Sequence, residues 1–436
     1  MSAPTLQAAI AALPRADADR LQTHLDTFAA LSEPGSGPGV TRLAHTPLER
    51  RAHDVYAAYM RALGLEVRTD TAGNTVAELP GTAPGLPGVG TGSHLDSVPG
   101  AGAYDGIAGV VAAMEVARLF VSGGIRLTRP VRFVAFAAEE GARFGQACTG
   151  SRIVAGLTGP ADLRAKRDAG GVSLAQAMEA VGLDPDDTES ARWRAEDWAA
   201  FLELHIEQGS LLESESVPIG LVDLISGSTR LRLDLTGRAS HTGGTPMRLR
   251  ADAMAAAAEV ILMIETLAND SRHHGTRATV GRMHASPGSL TTIAGSAEVY
   301  VDVRDVDNDR QRLTAAEIVD AAQSICSRRG IGCESQLLAD ASPVILPRWL
   351  RDTVAEAATD AGIAHRVMPS GASHDAQMIN HVVPTGMIFV PSHNGGVSHS
   401  PDELTRQDEL AVGTDILASG LLRLDARLSA QEAPAA

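Results

Sequence analysis

The residues of this chain able to do metal-assisted chemistry begin at His94-Leu95-Asp96, where a weak apolar run beginning at Gly90 ends. Eleven positions beyond His94, after a loop carrying Gly100 and Gly102 and just ahead of Gly106, comes Asp105. That separation is too long for one helical face. A tight loop has to bring imidazole and carboxylate together, and glycine permits such a path. Imidazole plus carboxylates at a strand end is a donor set for a borderline divalent ion such as zinc. The same pattern recurs along the chain. Glu139-Glu140 follows the apolar run Pro130–Ala138, His205 closes Trp198–Ile206 just before Gln208, and His399 sits in the Gly-rich loop after Thr385–Pro391. Adjacent glutamates at a strand end point to different sides, so one suits a ligand and the other a general base for a metal-activated water.

These side chains need a scaffold, and the flanking sequence supplies one. Pro130–Ala138 is almost continuously apolar, as in a strand covered on both faces. Buried strands alternating with helices, such as Ile107 to Phe120 with Asp105 at its cap, define an α/β layer fold. In open sheets of that kind, sites form at the carboxyl ends of strands. Upstream, residues 5–31 read as one or two amphipathic helices. Thr46-Pro47-Leu48-Glu49 is a helix start with a Thr cap, Pro in the first turn and Glu at the third position, and that helix runs to about Leu63. Short strands are predicted at Leu65–Arg68 and Thr75–Leu79.

Between about 217 and 340 the texture changes. Arg230–Thr236 and Ala297–Val303 alternate strictly, and helices are predicted from Arg248 to Leu267 and from Arg310 to Arg328. The order strand, helix, two strands, helix, strand (Gly332–Leu338) describes a ferredoxin-like α+β module inserted into the α/β domain.

A formal charge of −16 and a pI near 5.3, with no basic patch interleaved with aromatics, exclude nucleic acid as a partner. The chain has no run of eighteen apolar residues, so no membrane span is expected. The start has no basic segment of a signal peptide. Cys148, Cys326 and Cys333 include no CxxC and cannot all pair, which points to a reducing, cytoplasmic setting. The ending, Glu432 to Ala436, is expected to fray.

Taken together, His94-x-Asp96 with Asp105-Gly106, Glu139-Glu140-Gly141, Ser240-His241 and Ser398-His399 resemble the metal-dependent amidohydrolases and peptidases of the M20 clan. More narrowly, Gly39–Ala44, Glu139–Phe144, Glu203–Gly209, Gly243–Met247 with Arg250-x-Asp252, and Pro369–Ala376 are similar to one branch. That branch holds the N-carbamoyl-L-amino-acid hydrolases, bacterial-type β-ureidopropionases and allantoate amidohydrolases. The resemblance implies a mixed-sheet di-metal α/β hydrolase domain over residues 1–216 and 341–436. Residues 217–340 would be the inserted ferredoxin-like lid and dimerisation domain of a homodimer.

Carried over by position, Asp105 would bridge two divalent ions, zinc first, with manganese or cobalt as alternatives. His94 and His205 would complete one ion, Glu140 and His399 the other. Glu139 would be the general base and Asp96 the residue orienting His94. His241 would stabilise the oxyanion, Arg304 would grip the carboxylate of a small substrate, and Gln208 would stand near the metals. The implied reaction cleaves the ureido C–N bond of an N-carbamoyl amino acid, giving the amine, CO2 and ammonia. One position departs from the branch: Thr291 stands where an asparagine normally helps hold the substrate carboxylate or its ureido neighbour. A shorter side chain there admits allantoate or ureidoglycolate-type chemistry, or a plain N-acyl amino acid. The remaining histidines carry no expected role. His24, His45, His53, His365 and His381 are scattered, His273-His274 and His284 lie by loops, and His374 reads as a supporting residue. His393 is the nearest rival to His399, and Cys148 reads as a small buried residue with no base beside it.

Overall fold

The computed structural model describes residues 3–432, so the last four positions of the Ala/Pro ending lie outside the described residues. The chain runs through β1 (Glu66–Thr69), β2 (Thr75–Leu79), β3 (Gly88–His94), β4 (Val131–Phe136), β5 (Trp198–Ile206) and β6 (Ile219–Ile225). It continues through β7 (Gly227–Thr236), β8 (Ser240–His241), β9 (Arg277–Ser286), β10 (Thr292–Ile293), β11 (Ser296–Asp305) and β12 (Gly332–Ala341). It closes with β13 (Val344–Ile345), β14 (His365–Ser370) and β15 (Thr385–Val390). Two compact units result: Met1–Asp223 with Ile345–Ala436, and Leu224–Val344.

The first unit is a mixed α/β fold. Its sheet has the order β1-β2-β4-β3-β5-β15-β6-β13, with β14 on β6. The central strands β4, β3, β5 and β15 run parallel, while β2 against β4 and β6 against β15 run antiparallel. Alternation along the strands explains why both faces are covered. Val131, Phe133 and Ala135 of β4 join one core cluster, and Val134 and Phe136 join the other. The first cluster takes in the helix Ile107–Ser122, which is apolar apart from Ser122 and the ion-paired Glu115 and Arg118 and is buried along most of its length.

Local chemistry sets the elements beside the site. Thr46 accepts a hydrogen bond from Glu49 N and opens the helix Pro47–Ala62. The two N-terminal helices are Ala3–Ala12 and Ala18–Ala29, the second capped by Asp17. Asp105 does not cap the helix after it, contrary to expectation. The cap position is Gly106, at φ 69°, with no side-chain cap bond, because the Asp105 carboxylate is turned toward imidazoles instead. A Cβ at 106 would fall 2.4 Å from the His94 ring, so glycine is required by both the backbone and the neighbour.

In the second unit, a four-stranded antiparallel sheet of order β12-β7-β11-β9 carries two helices. Leu231, Leu233 and Leu235 of β7 and Val299, Val301 and Val303 of β11 share its core with Ala256, Val260, Ile318 and Ile325 of those helices. The first of the helices starts later than its composition indicates. Asp252 accepts from Met254 N and Ala255 N and opens Ala253–Ala268, leaving Met247–Leu249 as a single tight turn. The second is Asn308–Arg328, capped by Asp307. No helix among the described residues is long and apolar enough to cross a membrane.

Candidate metal centre

The parallel strands of the first unit deliver their polar residues to one end of the sheet. His94 is the last residue of β3, His205 the penultimate residue of β5, and Glu139 and Glu140 follow β4. His399 lies nine positions past the end of β15, in a loop, with a left-handed φ of 55°. Asp105 comes from the loop after β3 and lies among them.

Asp105 uses both carboxylate oxygens. Oδ1 faces His94 Nε2 at 3.5 Å and His205 Nε2 at 3.2 Å, and Oδ2 faces His399 Nε2 at 3.2 Å. Glu140 Oε1 is 3.2 Å from the same His399 nitrogen. Of the three donor groups among the described residues, two share Asp105, His94–Asp105–His205 and Asp105–Glu140–His399, and the third is Glu203–His205–His374. Donors about 2.0–2.2 Å from a tetrahedral ion lie roughly 3.4 Å from one another. The observed spacings match that edge.

The tautomers agree with the donor set. His205 Nδ1 is 2.9 Å from the Ile206 carbonyl, and His94 Nδ1 is 3.2 Å from the Asp96 carbonyl and 3.5 Å from its Oδ1. A proton on each Nδ1 leaves each Nε2 unprotonated and facing Asp105, and that of His205 also accepts Gly106 N at 3.2 Å. Glu140 Oε1 is buried and accepts no hydrogen bond among the described residues. Lone pairs of imidazoles and carboxylates converging this closely fit divalent cations.

The electrostatics point the same way. Burial pulls the His94 and His205 imidazoles down, but the facing carboxylates outweigh it and raise both. His399 is likewise lowered by burial but carried up to about 11 by Asp105 and Glu140. Asp105 is raised by burial, yet His205, His399 and His94 hold it well below the usual carboxylate range. Burial, helped by Glu140 and Asp96 and opposed by His94, pushes Glu139 up to about 7. A carboxylate held near neutrality suits proton transfer at physiological pH.

Asp96 does more than face His94. Its two oxygens accept Glu139 N at 2.8 Å and Glu140 N at 3.0 Å, so it holds the backbone of the glutamate pair. Gln208 Nε2 donates to Asp105 Oδ2 at 2.7 Å and to Ser398 Oγ at 3.3 Å. Sequence reasoning missed Glu403, whose Oε1 accepts Tyr104 N and Asp105 N while Oε2 accepts Ser398 Oγ, tying the Asp105 loop to the His399 loop. Its place four residues after His399 was the available signal.

Other readings are corrected by their neighbours. Cys148 does have a carboxylate beside it, because its thiol donates to Glu139 Oε1 at 3.0 Å. His273 lies in the connection between helix and strand, as expected, but is fully buried there and bonded to Thr314 and Glu317. His393 sits between Glu213 and Glu409, at 3.2 and 2.6 Å, and joins neither donor group with Asp105. His374 packs edge-on against His205, with Nε2 at 2.8 Å from Ser370 Oγ.

Within the second unit, His241 on β8 pairs with Thr292 on β10, next to Thr291. The His241 Nδ1 accepts Gly243 N and Gly244 N at 3.1 and 3.0 Å, which puts the ring proton on Nε2. Thr291 is exposed, and its carbonyl accepts Thr242 N. Arg304 on β11 donates through Nε to Asp302 at 2.9 Å, and Asp305 is taken by Arg310 and Thr276.

A sheet whose central parallel strands end in imidazoles and carboxylates around one shared aspartate is the architecture of a metal-dependent hydrolase. The family model for peptidases M20/M25/M40 matches residues 90–423. The chain is 38% identical over 413 residues to the N-carbamoyl-L-amino-acid amidohydrolase of Paenarthrobacter aurescens, covering 95% of this chain and 99% of that one. It is 40% identical to the Geobacillus stearothermophilus N-carbamoyl-L-amino acid amidohydrolase, covering 92% and 96%. To the allantoate amidohydrolase of Escherichia coli K12 it is 36% identical, covering 92% and 97%. Among solved structures, AtUAH in complex with glyoxylate superposes with a TM-score of 0.91 at 33% identity, covering 96% of this chain and 100% of that one. A hydantoinase/carbamoylase family amidase from Burkholderia vietnamiensis gives 0.86 at 31%, covering 94% and 97%. The chain therefore belongs to the M20/M25/M40 family and, within it, to the carbamoylase and allantoate amidohydrolase relatives. It is a metal-dependent hydrolase of C–N bonds other than peptide bonds.

Proposed function

We propose that this chain is a dinuclear amidohydrolase that cleaves the ureido C–N bond of a small N-carbamoyl amino acid, releasing the amine, CO2 and ammonia. The observation that carries the reading is Asp105, whose two oxygens face two separate sets of donors. His94 and His205 would hold one divalent ion, Glu140 and His399 the other, and zinc suits this donor set, as do manganese and cobalt. Such a pair supplies a water of lowered pKa and polarises the scissile carbonyl.

The chain's own side chains do the rest. Glu139 takes the proton of the attacking water and returns it to the leaving nitrogen, a task suited to a buried carboxylate that burial raises and neighbouring cationic groups lower. Asp96 orients His94 and the glutamate turn, and Gln208 steadies Asp105. His241 is assigned to the oxyanion, supported by a tautomer that leaves Nε2–H free to donate. Arg304 is assigned to the substrate carboxylate, for which its planar fork is suited. The module between residues 217 and 340 is assigned as the ferredoxin-like lid and dimerisation domain. The reading is supported by β9 at the edge of its sheet and by the exposed Met254 and Leu262 on its first helix. Light scattering is expected to give a dimer mass.

Thr291 supports a second reading, hydrolysis of an allantoate- or ureidoglycolate-type substrate, because a hydroxyl replaces the amide common in the branch. The test is ammonia release from a panel of N-carbamoyl amino acids and allantoate by metal-reconstituted protein, with and without chelator. Chelator-sensitive turnover of the N-carbamoyl amino acids is the expected result. Turnover of allantoate alone favours the second reading, and turnover unaffected by metal removal ends both. Thr291→Asn sharpens the choice, since raised N-carbamoyl activity in that variant means the natural substrate is another.

A further inference from the structure

The glutamate pair stands at the end of a turn, Ala137–Glu140, whose four consecutive backbone N–H groups each donate to a side chain from elsewhere. Ala137 N donates to Asn74 Oδ1 at 3.0 Å and Ala138 N to Glu49 Oε1 at 2.8 Å. Glu139 N and Glu140 N take the two oxygens of Asp96. The carbonyls of Ala137, Ala138 and Glu139 are held as well, by Gly150 N, Thr149 N and Cys148 N at 3.0, 2.8 and 2.6 Å. Ala138 has φ 57°, a left-handed conformation that an alanine keeps only when its surroundings enforce it.

Glu49 is the member of this set that helix chemistry does not explain. In a capping box the third helical residue reaches back to the cap residue's own N–H. Glu49 instead passes Thr46 and accepts His45 N through Oε2 at 2.6 Å, while Oε1 reaches across to Ala138 N. Its side chain is fully buried. Burial, then the charge of Asp96, push its carboxyl up to about 7, while the charge of Arg50 and then the two N–H donors pull it back. Burying an ionisable carboxyl is costly, and a glutamine would serve the helix end without that cost. Two acceptor oxygens aimed at two different segments are what only the carboxylate offers.

We propose that Glu49 is a positioning residue for the hydrolysis: it ties the Ala137–Glu140 turn to the start of the helix Pro47–Ala62, so that Glu139 is held in reach of the attacking water. The proposal rests on the assignment of Glu139 as the base. Glu49 touches neither substrate nor donor atoms and acts through the main chain of its neighbour.

The test uses Glu49→Gln, which keeps volume but sets an amide NH2 against one of the two backbone N–H groups. In protein reconstituted with metal, kcat is expected to fall roughly 10- to 100-fold, as for small displacements of a reacting group. KM and metal bound per chain, measured by elemental analysis, stay unchanged. Placed in a Glu139→Gln background, the same substitution produces no further fall in kcat, because the group it positions is gone. Thr46→Ala serves as the structural control. It removes the cap bond from Glu49 N and the bond to the Leu43 carbonyl but leaves both contacts of the Glu49 carboxylate, so the thermal midpoint drops while kcat holds. The proposal is overturned by an unchanged kcat in Glu49→Gln, by a loss carried by KM or by lost metal, by an undiminished loss in the Glu139→Gln background, or by an equal kcat loss in Thr46→Ala. Where Glu49→Gln does not fold, Glu49→Asp, one methylene too short to span both segments, is read by the same criteria. Full activity in Glu139→Gln alone would instead remove the assigned base, so the two failures are distinguishable.

Discussion

The donor groups of the first unit and the assigned substrate-side residues of the second are built on opposite terms. His94, Asp105, Glu139 and His205 are buried, end or follow central strands, and are fixed by neighbours on several sides, whereas Glu140 is half-buried and His399, on its loop, is the one exposed donor of the two groups. His241 and Thr291 sit on a two-residue strand pair and its flanking loop, both exposed. Arg304 lies on the sheet surface of the second unit with an acidic neighbour. Groups that share a cation must keep their spacing to a few tenths of an ångström, which interior packing and multiple hydrogen bonds provide. Groups that meet a soluble molecule must remain reachable, and exposed loops and sheet surfaces allow that.

The contrast is breakable by substitution. Asp105→Ala removes the residue common to both donor groups, and the expected outcome is loss of both bound metal and activity to background. Metal analysis beside turnover checks it, and retention of a full metal complement would break the comparison. Glu139→Gln is expected to lower kcat by about 10²–10⁴-fold with bound metal unchanged. Arg304→Met, on the second unit, is expected to raise KM by roughly tenfold or more while leaving both kcat and metal content in place. A kcat effect there would mean that the inserted module takes part in the chemical step through this residue.

The smallest expected effect is in pH dependence. Glu139 works only when ionised, and its carboxyl is raised to about 7, so kcat/KM should rise with pH and level off. Bound dications favour the ionised form and draw that limb below about 7. The profile of Glu139→Gln should lack this limb. An acidic limb that persists unchanged in the residual activity of Glu139→Gln would argue against Glu139 as the base.

Much of this was legible in the linear chain because strand patterning and strand-end chemistry are local. The apolar run before Glu139-Glu140 and the alternation Leu231, Leu233, Leu235 follow from backbone period alone. The cap at Thr46 is equally local. What escaped were contacts made across the fold. Cys148 looked isolated because its partner oxygen comes from a residue nine positions earlier that a turn brings back. Glu49 looked like a capping-box residue because the competing donor, Ala138 N, is 89 positions away. Asp105 was expected both to cap the helix and, by resemblance, to bridge the donors. The structure leaves it only the second place, because His94, eleven positions before it, and His205 and His399, from distant segments, face its carboxylate.

The sequence by itself determined which residues end up at strand ends, which segments are covered on both faces, and that an α+β module interrupts an α/β chain. These follow from hydrophobic period and residue type within a few positions. Only the tertiary structure decided which atoms face one another. It turned the two oxygens of Asp105 to different partners, set the imidazole tautomers, and tied the glutamate turn to Glu49, Asn74 and Asp96. Such pairings depend on distances of a few ångströms between segments far apart in the chain, and those distances exist only once the core has packed.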